Sequence, residues 1–512
     1  MMKSLKMPAS PFLRNLIQKA LPALVALVLL AGLAYARPET KNQSIITLER
    51  GASVRDVLKA CRARVVKELT PGETFLIQAI DRASSSELVK RCSKARGVES
   101  VEPNRVVSVP SRLRNRTGEL SQSTVALLNQ STVALLNEAA LANYYGANVK
   151  SSYPTQPALT LMGNEQAHTV STGMGMVVAD IDNGVDPDNP VLKSVLISGY
   201  NFVDDNADVS EWTGMDQSTV ALLNQNQSLG LDQSTASLLD QSTVALLNQS
   251  TVALLNQSTV ALLNQSTVAL LNQSTVALLN QSTVALLNQS TVALLNSLPP
   301  DFGHGTMVAG LIHVVAPDAR ILPLKAFGAD GTGTLSDVVS AIYYATDHGA
   351  NVINMSFSFS DDSLTLRKAI SYALNKKVVL VSSMGNDGLE TANVFPSAYP
   401  GVYGIAATDN QDIVAPFSNY GTVTGYTAPG VNLITFFPGG HYALVSGTSF
   451  SSALISGVSA LGVSARGSIL GQISSAISLS AVPIDALNPG FEKKLGGGRI
   501  DEAQTILSLQ PK

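Results

Sequence analysis

Charge is scarce in this chain. Of its 512 residues only 14% are Asp, Glu, Lys or Arg, and the net charge is −4. A nucleic-acid partner calls for a basic surface, and the composition supplies none. Cysteine is scarcer: Cys61 and Cys92 are the only two, both in the first hundred residues. That excludes a thiol nucleophile or a Cys-based metal site anywhere beyond residue 92. A disulfide between the pair is permitted in an exported protein, and two ordinary thiols are the equal alternative. Histidine occurs five times, so a His set among glycines stands out. Apolar residues are plentiful at 45%, enough for a large core in two or three domains.

The amino terminus reads as a targeting segment. Lys3, Lys6, Arg14 and Lys19 give a basic lead without an acid, Leu21–Ala34 is apolar, and Ala34-Tyr35-Ala36 is a small-x-small cleavage pattern. The expectation is a secretory signal over 1–36, removed after Ala36, and hence an exported protein, secreted, periplasmic or at the cell surface. An uncleaved anchor is the alternative, although the run is short for a span. No other stretch reads as transmembrane, so no stable membrane span is expected once the signal is gone.

Residues 44–110 form one α+β unit. Thr74–Ile80 reads as a buried strand, Ser85–Lys94 as a helix with Glu87 near its start, and Val98–Pro110 as a strand after the break at Gly97. From residue 176 the pattern becomes β-α alternation. Met176–Ile181, Ala319–Phe327, Val352–Phe357, Val378–Val381 and Val402–Ala407 read as strands buried on both faces. Ser336–His348 and Ser363–Lys376 read as amphipathic helices between them. The fold class is therefore α/β, a mostly parallel sheet with helices on both faces. Such sheets carry their sites at the carboxyl ends of strands.

Between these elements lies a repeat. The octapeptide Gln-Ser-Thr-Val-Ala-Leu-Leu-Asn occurs twice at 122–137, and 217–296 divides into ten octads, of which eight are perfect. A helix drifts roughly 80° per copy at this period and keeps no single face. As a strand, alternate residues would face alternate ways, which allows a solenoid or meander; Ala and Leu favour helix, and no Gly or Pro punctuates the perfect copies. An in-frame expansion without fixed structure and a self-associating spacer are both open readings. Uncharged and rich in Asn and Gln, the array would be prone to aggregate if exposed as strands.

Three glycine-flanked motifs carry chemistry: Ile181-Asp182-Asn183-Gly184, Gly303-His304-Gly305-Thr306 and Gly447-Thr448-Ser449. Ser449 precedes the apolar helical run Leu454–Leu461, and a hydroxyl at a helix amino terminus meets N–H groups that favour a developing oxyanion. His304 precedes Met307–Val315 and could take a proton from Ser449 and pass it on. Asp182 at a strand end could orient the imidazole. Taken singly each has a plainer role: cap, core histidine, strand-to-turn Asp.

Taken together, in the order Asp…His…Ser, they resemble the subtilase family. Met176–Asp186, Gly303–Gly310 and Gly447–Gly457 look like its three catalytic motifs, and Ser382–Gly388 looks like its oxyanion loop. The resemblance implies an exported serine endopeptidase acting on peptide or protein substrates through an acyl-enzyme. Catalytic residues would be Asp182, His304 and Ser449, with Asn386 as the oxyanion side chain. Gly328–Gly333 and Asn354–Ser358 look like the segments that clamp an extended peptide, which makes Gly331, Thr332, Gly333, Ser356, Phe357, Ser358 and Gly385 the substrate-binding residues. The α+β unit resembles the family's inhibitory propeptide, so the expected layout is signal 1–36, propeptide 37–112 acting as the chain's own inhibitor, linker 113–150, and a subtilisin-like peptidase domain 151–512 interrupted by the array. An unrelated small binding domain is the alternative for the first unit. No cofactor is needed for the chemistry and no metal ligands are assigned. Calcium commonly stabilises the family, and Asp186, Asp188, Asp204 and Asp205 are at hand, though ordinary surface acids are the better reading.

The resemblance has departures. Ala453 and Leu454 replace the family's Pro and His after the Ser motif, Ser358 replaces a common pocket-wall glycine, and Asp180 adds an acid without an assigned role. Asp182 and His304 are 122 residues apart, and without the 80 array residues the interval is 42, normal for the family. The array therefore reads as a loop insertion. A protease-like scaffold that no longer turns over substrate, carrying the array for adhesion or self-association, is the rival reading.

Overall fold

The computed structural model describes residues 40–109, 133–135, 140–212, 299, 301–466 and 470–510. The expected signal, the array and most of the 113–150 stretch lie outside them. The first described unit comprises β1 (Gln43–Leu48), α1 (Val54–Cys61), β2 (Ala63–Thr70), β3 (Thr74–Ala79), α2 (Ser85–Cys92) and β4 (Val98–Pro103). Its antiparallel sheet has the order β2-β3-β1-β4. Each helix starts at a serine whose hydroxyl accepts from the third N–H onward, Ser53 from Asp56 and Ser84 from Glu87. Ile46, Val57, Phe75, Ile77 and Leu88 fill the core with both cysteines. Cys61 and Cys92 are disulfide-bonded, Cα atoms 4.9 Å apart, so the two helices are tied at their ends.

The strand expected over Val98–Pro110 is two strands. After β4 the chain turns out of the unit and forms β5 (Val106–Ser108), which pairs elsewhere. There follow β6 (Val133–Leu135), β7 (Leu141–Tyr144), β8 (Ala147–Lys150), α3 (Pro157–Met162) and α4 (Asn164–His168). The stretch 141–150, expected as linker, is a hairpin: Val149 is fully buried and the Tyr144 hydroxyl donates to Val314 O at 2.6 Å.

The main body contains β9 (Val177–Asp182), β10 (Tyr200–Asn201), α5 (His304–Val315), β11 (Arg320–Lys325), β12 (Thr332–Thr334), α6 (Leu335–Asp347), β13 (Val352–Met355), α7 (Leu364–Asn375), β14 (Val379–Ser383), β15 (Val402–Thr408), β16 (Tyr426–Pro429), β17 (Leu433–Phe437), β18 (His441–Val445), α8 (Thr448–Arg466), α9 (Leu470–Ser480) and α10 (Glu502–Ser508). Seven strands make one all-parallel sheet in the order β10-β11-β9-β13-β14-β15-β16. Alternation along β9 separates two chemistries. Ala179 and Ile181 enter the core with Val338 and Ile342 of α6 and Ile370 of α7. Asp180 and Asp182 face the other way, where α5 and α8 pack.

Of the three motifs only Asp182 ends a strand of this sheet. His304 opens α5 and Ser449 lies in the first turn of α8, which follows the antiparallel hairpin β17–β18. A helix covering a parallel sheet runs back against the strands, so its amino end lies at their carboxyl edge. α8 is long and apolar enough to cross a membrane, yet 89% of its apolar window is buried inside the protein, as a core helix would be. At the edge of the hairpin, β6 pairs antiparallel with β18, Val133 opposite Val445. One octapeptide copy outside the array thus supplies a strand.

Candidate active site

His304 Nδ1 lies 2.8 Å from both carboxylate oxygens of Asp182. Oδ1 also accepts the Asn183 N–H at 2.8 Å. Both side chains are buried. With Nδ1 donating to the carboxylate, Nε2 is the lone-pair nitrogen of the neutral ring. Burial, the strongest influence on His304, pushes its pKa down. The charge and hydrogen bond of Asp182, helped by Asp301 and Asp180, outweigh it, and the net shift is upward.

The approach of α5 to Asp182 depends on glycine. A Cβ on Gly305 would sit 1.9 Å from Gly184 O and 3.2 Å from the Asp182 Cβ. Gly303 turns the chain into the helix with φ 86°. Asn183 stitches the two segments, donating to Asp301 O at 2.6 Å and accepting the Gly305 N–H at 3.0 Å.

Ser449 is the second residue of α8; the Phe450 N–H that follows it donates to Gly447 O at 3.2 Å. The Ser449 hydroxyl donates to Ser356 O at 3.3 Å, and among the described residues no hydrogen bond joins it to His304. The neighbouring Phe450 ring lies 5.7 Å from the imidazole. Asn386 follows β14, and its Oδ1 accepts from Thr448 N at 2.9 Å and Thr448 Oγ1 at 2.8 Å. Two donors at one end assign the amide, so Nδ2 is the end next to Gly447, 3.4 Å from where a Cβ there would be.

The expected substrate-binding residues fall in two places. Ser356, Phe357, Ser358 and Gly385 gather around Asn386 and α8. The Gly385 N–H donates to Thr448 Oγ1 at 3.1 Å, and a Cβ on Gly385 would meet Ser358 Oγ at 3.0 Å. Phe357 is fully buried against Phe327, rings 5.2 Å apart, so only its backbone is available to a ligand. Gly331, Thr332 and Gly333 lie at β12, and there β5 already pairs antiparallel: Thr332 with Ser108, Gly333 with Val107, Thr334 with Val106. The Val109 N–H extends the ladder to Gly331 O at 3.0 Å. Val107 and Val109 point inward and are buried, while Val106 is half-exposed.

β5 is drawn there by its own unit. Glu102 accepts Thr365 N at 2.8 Å, Thr365 Oγ1 at 2.5 Å and Ser363 Oγ at 3.1 Å, at the amino end of α7. Asn104 accepts Ser336 N at 3.0 Å at the amino end of α6.

Two buried acids lie beside the site: Asp180, noted in the sequence without a role, and Glu211, which sequence reasoning missed. Asp180 accepts from Asn354 Nδ2 at 3.0 Å; that amide also donates to Ser356 Oγ at 2.8 Å, and Ser356 Oγ donates to Ser449 O at 3.0 Å. Burial, reinforced by Asp182, holds the Asp180 carboxyl well above the usual carboxylate range. Glu211, in an unpatterned loop, bonds both N and Oγ1 of Thr306 in α5. The calcium reading gains no donor set. Asp186 accepts Gly439 N at 2.8 Å and Asp205 pairs with Lys67 at 3.3 Å. Among the described residues no group of three or more His, Cys, Asp or Glu could hold a metal.

Comparison with known proteins gives a consistent result. A family model described as the subtilase family matches residues 173–498. A thermophilic serine proteinase of Bacillus sp. (strain AK1) is 42% identical over 168 residues, which is 31% of this chain and 42% of that protein. The chain thus spans less than half the length of that relative. Thermitase of Thermoactinomyces vulgaris is 33% identical over 214 residues, 40% of this chain and 75% of its own. In architecture the chain is similar to fervidolysin from Fervidobacterium pennivorans, a keratinolytic enzyme related to subtilisin. The TM-score is 0.59 at 19% identity, covering 94% of this chain and 63% of that one.

Proposed function

The chain belongs to the subtilase family, and from that premise we propose that it is an exported serine endopeptidase made as a self-inhibited zymogen. The Asp182–His304 pair at 2.8 Å carries this reading. Substrate would lie extended along β12, held by main-chain bonds as β5 is now, with side chains of alternate residues directed inward. Ser449 Oγ turns from the Ser356 carbonyl toward His304 Nε2, gives up its proton there and attacks the scissile carbonyl. Asp182 keeps the proton of Nδ1 in place and stabilises the imidazolium that forms. The developing oxyanion is met by Asn386 Nδ2, whose other end is fixed by Thr448, together with the Ser449 N–H at the start of α8. The imidazolium then protonates the leaving amine, and water releases the acyl group by the reverse path.

The first unit is the inhibitor in this reading. The ladder from β5 to Gly331 occupies the peptide-clamping edge, and Glu102 and Asn104 anchor the unit on two helix ends of the body. Maturation requires a cut in the stretch beyond Val109. Two measurements test the proposal. A fluorophosphonate probe should label the purified wild-type protein at Ser449, and failure to label removes the enzymatic reading. Ser449→Ala should accumulate as a folded, uncut precursor; spontaneous maturation of that variant would sink self-processing.

A further inference from the structure

Like the short helices α3 and α4, α5 starts without a side-chain cap, unlike α6, α7 and α10. Thr334, Ser363 and Asp501 cap those three, whereas α5 begins at Gly303 and has no acid in its first turn. Gly303 is needed for its left-handed φ, and a serine or aspartate in its place would strain that turn. The vacant role is filled from outside the helix. Glu211 is 1% exposed; Oε1 accepts the Thr306 N–H at 3.2 Å and Oε2 accepts the Thr306 hydroxyl. Thr306 Oγ1 in turn accepts the Asp186 N–H at 2.7 Å.

Glu211 is itself held on the Asp182 loop. Its N–H donates to Val185 O at 3.2 Å, and the Val185 N–H donates to Val209 O at 2.9 Å. Segment 209–211 presses so close that a Cβ on Gly184 would lie 2.4 Å from Val209 O. Lys325, the register partner of Asp182 on β11, closes the other side, with Nζ donating to Ser210 O at 2.7 Å. One carboxyl therefore joins the loop that follows Asp182 to the turn that carries His304.

We propose that Glu211 is a positioning residue for His304, fixing the height and roll of the first turn of α5 against Asp182 through its two bonds to Thr306. The inference rests on the reading of Asp182, His304 and Ser449 given above. Among the described residues Glu211 bonds Thr306 and Val185 and none of the peptide-clamping residues, so its loss should act on the reacting geometry and not on substrate binding. A displacement of about 1 Å at such a site lowers turnover about 100-fold.

The test uses the full chain. In active protein, Glu211→Ala should lower kcat about 100-fold while KM stays near the wild-type value, and Glu211→Gln, which keeps an acceptor for the Thr306 N–H, should recover most of the loss. A loss borne by KM, or a Gln variant no better than Ala, overturns the proposal. A second readout needs no turnover: the downfield Nδ1 proton of the Asp182–His304 hydrogen bond, observed by nuclear magnetic resonance in a Ser449→Ala background and assigned by its absence from His304→Ala. It should vanish or shift in Glu211→Ala and persist in Glu211→Gln; an unchanged resonance in Glu211→Ala refutes the role. If Glu211→Ala does not fold, Thr306→Val takes its place and the same outcomes decide. Hydrolysis that survives Ser449→Ala would instead break the underlying reading, and the resonance still judges Glu211.

Discussion

Replacing Glu102 by alanine should loosen the first unit from the body by about 3 kcal/mol, or about 100-fold in its inhibition constant. The magnitude comes from what the carboxylate touches. Its side chain is 13% exposed, and one oxygen accepts two hydroxyls and the Thr365 N–H at the start of α7. α7 has no acid of its own in that turn, so Glu102 is the charge that meets the positive helix end. Hydrogen bonds to a charged partner contribute about 1.5–3 kcal/mol each, and a helix end about 0.3–1 more. Water replaces part of this when the unit leaves, which brings the sum down to about 3 kcal/mol. Glu102→Gln keeps an acceptor and gives up the charge, so it should fall between alanine and wild type. The assay is inhibition of the mature enzyme by residues 37–110 supplied as a separate polypeptide, read by hydrolysis of a chromogenic peptide. An alanine variant that inhibits as tightly as wild type would refute the idea that helix-end contacts hold the inhibitor down.

Two further outcomes follow from the site. The ionisation of His304 is shifted upward by Asp182, and the proposed mechanism uses the neutral ring, so the acid limb of kcat/KM should have its midpoint above 6.5. In Asp182→Asn burial dominates and the midpoint should drop below 6.5, with kcat down about 10⁴-fold; a midpoint that stays put would remove Asp182 as the cause. Deleting the array, residues 217–296, shortens the loop between Trp212 and Phe302 from 89 to 9 residues. Denaturant unfolding should then show about 2 kcal/mol more stability from reduced loop-closure entropy, with probe labelling of Ser449 intact. A deletion variant that fails to label would mean that the array helps to build the site.

The central strands were legible because a strand buried on both faces is a continuous apolar run; β9, β13 and β15 lie within two residues of the expected limits. The β7–β8 hairpin was not, and its turn explains why. Tyr145 and Gly146 both have positive φ, 48° and 86°, a pair usually marked by Asn-Gly or Asp-Gly, and tyrosine hides the signal. The residues Asp182, His304 and Ser449 stood out through their glycines, of which the fold uses Gly184 and Gly305 for close approach and Gly303 for its left-handed φ. Asp180 was visible but mute, because its partner Asn354 sits 174 residues away on a strand made adjacent by the β9–β13 crossover. Glu211 gave no sign at all, because a cap supplied from a distant loop obeys no periodicity.

The rings of Trp212 and Phe302, on either side of the array in sequence, lie 5.2 Å apart, so the two ends of the insertion are neighbours. An insertion between two residues that are already neighbours asks little of the elements on either side. Trp212 and Phe302 therefore mark a joint at which added length costs closure entropy only as the logarithm of the residues inserted.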